Sequence, residues 1–479
     1  MNIYIFQGGF IQMNKRSNFS SKIGFVLAAA GSAVGLGNLW RFPYLAAQHG
    51  GGTFLLIYLI LAVTFGFALM VAEIAIGRKT GLSAIGAFKK LDKRFGFLGV
   101  LTSIVPIIIL PYYCVIGGWV MKFFTTYAFQ GAKLAASTQE VNGNTLTFFE
   151  VFIGEKVAEP LGWFFLFLAL TATIVLFGVE KGIEKVSKIM MPVLVILTLG
   201  IAIYVIVQPE FFDGLIYYVK PNFKNFSLTT IFAAMGQLFY SMSLAMGIMV
   251  TYGSYMKKDN NLESSVRQIE IFDTAIAFLA GLMIVPAAYS SIVNGQTKPG
   301  PTLMFVTLPD VFNKMPFGRV IGALFFLLVF FAALTSSISL METIVSIFMD
   351  KFKWKRKLTC SVVAAFSLLM GIPSVFGFSI WNYTGTKFGD LLASRGLGDI
   401  LTIFDFISNS VIMPIVAFFT CILVGFIIKP KAIADEVKET NGKFKSEKLF
   451  TIMIKWIAPI CILGIFVFSV GETLKFWSV

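Results

Sequence analysis

Eleven runs of apolar residues, near 23–47, 54–77, 97–129, 161–179, 189–207, 228–256, 271–293, 320–349, 358–376, 399–428 and 449–470, decide what this chain can fold into. Most approach or exceed the roughly 20 residues that an α-helix needs to cross a hydrocarbon core of ~30 Å. In lipid every backbone polar group must be answered within the protein, which leaves helices as the default for such runs. With a mean hydropathy of +0.82 and only 13% charged residues, 479 residues are too apolar for one soluble core. The chain reads as an all-α polytopic protein of the lipid bilayer.

A net charge of +14 would suit nucleic acid, but its placement does not. Lys and Arg gather in alternate loops: Lys15, Arg16 and Lys22; Arg78 to Arg94; Lys181 to Lys188; Lys257, Lys258 and Arg267; Lys351 to Lys357; Lys429 to Lys455. These six segments hold 27 of the 39 basic residues, which makes them cytoplasmic by the positive-inside rule. The N-terminus is then inside, the tail after Val470 outside, and a bacterial inner membrane is the expected location. Residues 1–12 carry no charge and precede Met13, a candidate start, so no signal peptide is read there. Cys114, Cys360, Cys421 and Cys461 all fall in apolar runs and read as core residues, not bridges. The lone His49, in the loop after the first run, cannot build a His-rich metal site. No H-E-x-x-H, G-x-S-x-G or P-loop motif appears, so the chain does not read as an enzyme.

Two of the runs are interrupted. The first contains Gly31-Ser-Ala-Val-Gly-Leu-Gly-Asn-Leu-Trp-Arg-Phe-Pro43. Gly31 and Gly35 alone form a G-x-x-x-G pattern, the usual sign of close helix packing. Packing does not call for Asn38, Arg41 and Pro43 within the next two turns, and non-helical backbone survives at membrane depth only inside protein or beside a wet cavity. The sixth run repeats the theme in Gly236-Gln-Leu-Phe-Tyr-Ser-Met-Ser-Leu-Ala-Met-Gly247. Corresponding breaks in two halves of a chain point to the binding site of an inverted-repeat transporter.

Other polar residues interrupt the apolar pattern. Glu73 reads either as an interfacial charge beside Arg78 or as an internal group holding broken helices together. Pro111-Tyr-Tyr113 offers aromatic rings with polar tips, suited either to a membrane interface or to a lid over an apolar ligand. Gly182 and Pro192 mark a stretch that either unwinds at the cytoplasmic face or merely kinks. Asp273 and Thr274 lie inside the seventh run, Ala332-Ala-Leu-Thr-Ser-Ser-Ile-Ser339 in the eighth, which ends at Asp350, and Asp405 in the tenth.

The run Gly31 to Pro43, the Gly-Gln-Leu-Phe-Tyr-Ser-Met-Ser of the sixth span and the Leu-Thr-Ser-Ser of the eighth together resemble the neurotransmitter:sodium symporter family, in its bacterial amino-acid branch. The resemblance runs from about Arg16 past Asp405. It implies a cytoplasmic segment over 1–21, two inverted repeats of five spans over 22–207 and 208–429, with the first and sixth helices discontinuous, and a loop with an eleventh helix over 430–479. It also implies two sodium ions and an amino-acid substrate. The first sodium would take Asn38, Ser241, Asp273, the Ala33 carbonyl and the substrate carboxylate. The second would take the carbonyls of Gly31, Val34 and Ala332 with Thr335 and Ser336. Oxygen ligands suit a hard cation. The substrate carboxylate would meet the Leu36 and Gly37 amides and the Tyr113 hydroxyl, while its side chain would lie among Ile109, Tyr240, Ser243, Met246, Ser336, Ser339 and Leu340.

Within that family an Asp at position 35 receives the substrate amine in amine transporters; Gly35 implies a ligand that brings its own carboxylate. Met246, where Phe is common, repacks readily, so a large hydrophobic or aromatic side chain is expected, tyrosine or tryptophan foremost. Asp273 replaces a common Asn, and Ala277 stands where chloride-independent members can carry Glu; Asp273 is therefore expected to supply the negative charge that chloride supplies elsewhere. Arg41 with Asp405 resembles an outer gate, and Arg16 with Asp350, Ser254 and Tyr255 an inner one, with Phe19 where a Trp is frequent. A receptor that never completes the cycle and a channel are the competing readings, separable by whether flux is sodium-dependent and saturable. Oligomeric state is not readable from the sequence.

Overall fold

The computed structural model describes residues 18–474 apart from 142, 294–300, 384, 396 and 441. Arg16, Met1 and Met13 lie outside the described residues. Among those described, a bent pair of helices, α1 (Lys22–Ala33) and α2 (Gly37–Gln48), makes the first span, with 52° between the two halves. Continuous spans follow as α3 (Gly52–Thr80), α4 (Lys93–Gln130), α5 (Ala158–Leu176) and α6 (Val179–Ile206). The sixth run is divided into α7 (Leu228–Ser241) and α8 (Ile248–Tyr255), each too short to span alone. After it come α9 (Leu262–Ser291), α10 (Gly318–Phe352), α11 (Arg356–Phe376) and α12 (Ile400–Ile427). A short helix on the chain's way back, α13 (Lys429–Lys438), leads to the last span, α14 (Glu447–Gly471).

Local chemistry fixes the ends. Ser21 and Ser227 cap α1 and α7 by accepting the amides of Gly24 and Thr230, satisfying orphan donors of the first turn. Of the two readings of the stretch between Gly182 and Pro192, the structure has the wound one: a π-helical turn over Val179–Glu184 runs directly into α-helix through Ile206. The connection after α4 carries a small antiparallel hairpin, Thr138–Val141 against Asn144–Thr147, which the apolar pattern gave no sign of.

The long helices α4 and α10 pack along each other at the centre, α1 lies against α6, α9 and α10, and α3 lies against α7 and α8. Both halves of each broken span are thus enclosed by other helices. On α6 the heptad positions Ile189, Ile196 and Ile203 face outward as a lipid-facing stripe, while Glu184, Met191 and Thr198 recur on the buried face. Contact between α3 and α8 is closest at two glycines. A Cβ on Gly77 would overlap the Val250 carbonyl oxygen, and one on Gly253 the Ile74 carbonyl oxygen.

Candidate substrate and cation site

The first break is short. Val34 leaves the helix with extended backbone (φ −75°, ψ 91°), and winding resumes as a π-turn over Gly37–Arg41 before Pro43 opens the regular part of α2. Asn38 closes the gap locally, its Oδ1 accepting the Gly35 amide at 3.3 Å. The second break, 242–247, holds three left-handed residues, Ser243 (φ 53°), Ala245 (φ 60°) and Gly247 (φ 74°). Two of them are not glycine, which costs of order 1–2 kcal/mol each. Glu73 meets that break from α3: its Oε1 accepts the Ala245 amide at 2.6 Å, so its role is internal. Arg78 is engaged elsewhere, by Glu436 on α13.

Asn38, Ser241 and Asp273, from three different helices, come together. The Asn38 amide donates to Asp273 Oδ1 at 2.8 Å, and the Ser241 hydroxyl to Asp273 Oδ2 at 3.2 Å. Tyr58 joins them, 3.1 Å from the Ser241 hydroxyl and 3.3 Å from Asp273 Oδ2. The sequence reading missed Tyr58, because a Tyr inside Leu-Leu-Ile-Tyr-Leu-Ile-Leu carries no pattern that separates it from an interfacial one. Asp273 and Asn38 are wholly buried.

On the opposite flank of α1, the Ser336 hydroxyl reaches the carbonyls of Gly31 (3.4 Å) and Ser32 (3.2 Å). Thr335 donates to the Ala332 carbonyl at 3.1 Å, and its Cβ lies 3.2 Å from where a Gly31 Cβ would be. Val34, whose carbonyl the sequence grouped here, sits in the break itself.

Between the flanks is a small cavity of about 30 Å³, the space open to the centre of a water-sized sphere and room for a water or two as the helices stand. Of the residues expected around a substrate, Ala33, Gly35, Leu36, Gly37, Ile109, Tyr113, Tyr240, Ser241, Ser243, Met246, Ser336 and Leu340 line it. Ser32 and Ile248 line it as well and were not foreseen. Ser339 does not belong to the lining: one turn beyond Thr335 it accepts the Tyr252 hydroxyl at 2.8 Å and donates to the Thr335 carbonyl. The Leu36 amide donates to the Tyr113 hydroxyl at 3.4 Å.

The outer mouth differs from the expected contact, and the inner pair involves Arg16, which lies outside the described residues. Asp405 and Arg41 both sit beside Tyr240, close enough for their charges to interact, but not within the 4 Å of a direct ion pair. Asp405 Oδ1 accepts the Tyr112 hydroxyl (3.0 Å) and the Asn409 amide (2.6 Å), both nearer on the packed side of α12. Arg41 lies instead over the Tyr240 ring, 5.3 Å from its centroid, where a planar cation gains from the ring face. At the other mouth Asp350 Oδ2 accepts the Ser83 amide at 2.8 Å, and Ser254 donates to the Thr251 carbonyl. The Tyr255 hydroxyl donates to Glu342, a buried carboxylate that the sequence reading passed over and that Arg356 also holds. Phe19 is buried edge-on to Phe25, Tyr252 and Tyr255.

Two helices broken side by side around a buried cavity, with oxygen groups clustered on both flanks, inside a bundle of membrane-spanning length, define an ion-coupled membrane transporter. The chain belongs to the sodium:neurotransmitter symporter family, whose model matches residues 16–158 and 155–476. It is 33% identical over 468 residues to an uncharacterized sodium-dependent transporter of Bacillus subtilis, covering 95% of this chain and 98% of that one. It is 24% identical over 502 residues to the sodium- and chloride-dependent GABA transporter 2 of Rattus norvegicus, covering 95% and 80%. The crystal structure of MhsT in complex with L-phenylalanine matches with a TM-score of 0.82 at 36% identity, over 95% of this chain and 100% of that one. The protein is a multi-pass, sodium-dependent symporter and not an enzyme.

Proposed function

We propose that this symporter imports a large hydrophobic or aromatic amino acid, tyrosine or tryptophan foremost, with two sodium ions and without chloride, by alternating access. The observation that carries this reading is the meeting of Asn38, Ser241 and Asp273, of which Ser241 also lines the cavity between the broken helices. One sodium lies with them and the Ala33 carbonyl; the other lies among the Gly31, Val34 and Ala332 carbonyls, Thr335 and Ser336. The substrate carboxylate faces the first sodium, the Leu36 and Gly37 amides and the Tyr113 hydroxyl, and its side chain lies among Ile109, Tyr240, Met246 and Leu340. L-phenylalanine in MhsT supports an aromatic ligand. The repeats span 22–207 and 208–429, with the N-terminus in the cytoplasm of a bacterial cell.

The energetics are sufficient. One charge moving inward is worth about 2.3 kcal/mol per 100 mV. Two sodium ions with a zwitterion give about 4.6 kcal/mol, more than a thousandfold accumulation at roughly 1.4 kcal/mol per decade.

Uptake of labelled tyrosine into proteoliposomes under an inward sodium gradient tests the reading. It is expected to saturate, to persist when gluconate replaces chloride, and to be displaced by Tyr, Trp, Phe or Leu ahead of Gly or Ala. Better displacement by Gly or Ala, or a need for chloride, overturns the corresponding assignment. Gly35 gives a sharper check, since a Cβ there would stand 2.7 Å from Ser336 Oγ and 3.1 Å from the Tyr113 hydroxyl. Gly35→Ala is expected to weaken substrate binding by about tenfold or more, the scale of one misplaced methyl group in a closed pocket, read as loss of the ligand-induced thermal shift.

A further inference from the structure

Glu270 lies about 12 Å along α9 from its start at Leu262, where a carboxylate needs a partner, and its side chain is only 4% exposed. Nothing in the reading so far uses it. Arg267, one turn before it, supplies the opposite charge, with Nη1 3.0 Å from Oε2 and 3.3 Å from Oε1. Asp273 is its neighbour one turn after. Residues three apart stand side by side on a helix, and the two carboxylates are close enough for their charges to repel.

The arginine is held on the far side of Glu270 from Asp273. In α3 the Phe67 amide donates to Ala62, five residues back, so the π-turn over Ala62–Gly66 leaves the Val63 carbonyl without its α-helical donor. Arg267 Nη1 takes that carbonyl at 3.1 Å, and its guanidinium carbon stands 3.5 Å from the centroid of the Phe67 ring. Nη2 donates to the Ser446 hydroxyl at 3.3 Å. Ser446 is fixed in turn, because Glu263 accepts its amide and that of Lys445, each at 3.0 Å. Clamped by α3, by α9 and by the residue before α14, the guanidinium is not free to turn to Asp273. Its side chain is 32% exposed, whereas Asp273 is wholly buried. The pair is an oriented dipole with its negative end inward.

We propose that Glu270 and Arg267 form a positioning pair for the first sodium: the carboxylate, fixed one turn from Asp273, strengthens the pull on a cation bound there without touching it. This rests on the sodium assignment above. Repulsion between two buried carboxylates burdens the empty site, and a cation relieves it. Part of the affinity therefore comes from a residue outside the set of ligands.

The thermal midpoint of the purified full chain, titrated with sodium gluconate at constant ionic strength, gives the sodium needed for half of the stabilisation. Glu270→Gln keeps an oxygen for Arg267 but leaves its charge unbalanced. It is expected to need about tenfold more sodium, the effect of a unit charge roughly 10 Å from a cation at an effective dielectric constant of about 20. Glu270→Asp keeps the charge and should stay within about threefold of wild type. Arg267→Gln alone should need no more sodium than the wild type. Glu270→Gln combined with Arg267→Gln leaves the net charge unchanged and should return to within about threefold of wild type, even where its midpoint without sodium is lower. A merely structural role gives the opposite order, with the double variant at least as impaired as Glu270→Gln. Glu270→Gln within about threefold of wild type, or a double variant no better than Glu270→Gln, overturns the proposal. Asp273→Asn in the same titration separates the two readings. If it needs far more sodium while Glu270→Gln does not, only the pair falls; if it does not shift, the first-sodium assignment falls and the pair with it.

Discussion

Asp273→Asn is expected to require about a thousandfold more sodium for substrate binding while the protein remains folded. The carboxylate is buried and accepts from Asn38, Ser241 and Tyr58. An amide of the same shape still accepts from Asn38 with its oxygen, and the two hydroxyls can turn to accept from its NH2, so the cluster stays satisfied. What disappears is one negative charge. A cation held about 4 Å from it gains about 4 kcal/mol at an effective dielectric constant of about 20, close to three decades in affinity. Asp273→Ala should do worse in a different way: it strands donors on Asn38, Tyr58 and Ser241, at about 1–3 kcal/mol for each that finds no other partner. Folded yield should then fall with binding. If the charge stands in for chloride, added chloride should partly restore the Asn variant and not the wild type. Labelled tyrosine binding across a sodium titration, in chloride and in gluconate, reads all of this. An Asn variant within about threefold of wild type at every sodium concentration would remove Asp273 from the cation's surroundings, because threefold is well under one decade.

The sequence made part of this site legible because lipid is an unforgiving solvent. Asn38, Ser241 and Asp273 stand out as polar groups in apolar runs, and three helices do bring them into contact. Glycine with Asn, Arg and Pro marked the first break, and the serines between Gly236 and Gly247 marked the second. What stayed hidden were residues whose type suits many places. Tyr58 looks like any tyrosine in an apolar helix, and Glu184 sits in a charged stretch that reads as a solvated loop although it is buried against α1. Ser339 failed for a geometric reason: with about 100° per residue, Ser336 and Leu340 share the cavity face, and Ser339 is rotated off it towards Tyr252. Asp405, matched to Arg41 by resemblance, feels that charge without touching it, and its short contacts go to Tyr112 and Asn409.

The largest stability effect is expected where α3 meets α8. Gly77→Ala and Gly253→Ala would each drive a methyl group into a backbone carbonyl of the facing helix, at Val250 and Ile74. Overpacking usually costs about 1–3 kcal/mol because side chains can yield; backbone cannot, so each change should reach or exceed the top of that range. Gly200 and Gly162 are the internal controls, since a Cβ at either meets nothing within 4 Å. Alanine there should be neutral or stabilising by up to about 1 kcal/mol, from helix propensity. Thermal midpoints of the four purified variants separate the two sets, and equal losses in all would show that the glycine contact does not matter. The contact bears on transport as well as on stability. Gly77 and Gly253 fasten α3 to the second half of the broken helix, and the Glu73–Ala245 hydrogen bond fastens it to the break just before that half. Those two elements should therefore move as one body, and the strain of Ser243 and Ala245 stays in the break between α7 and α8. Double variants provide the kinetic counterpart. Gly77→Ala with Glu73→Ala, which removes the acceptor of the Ala245 amide, should lose more uptake than stability, because loosening the joint lets α8 shift without carrying α3 along.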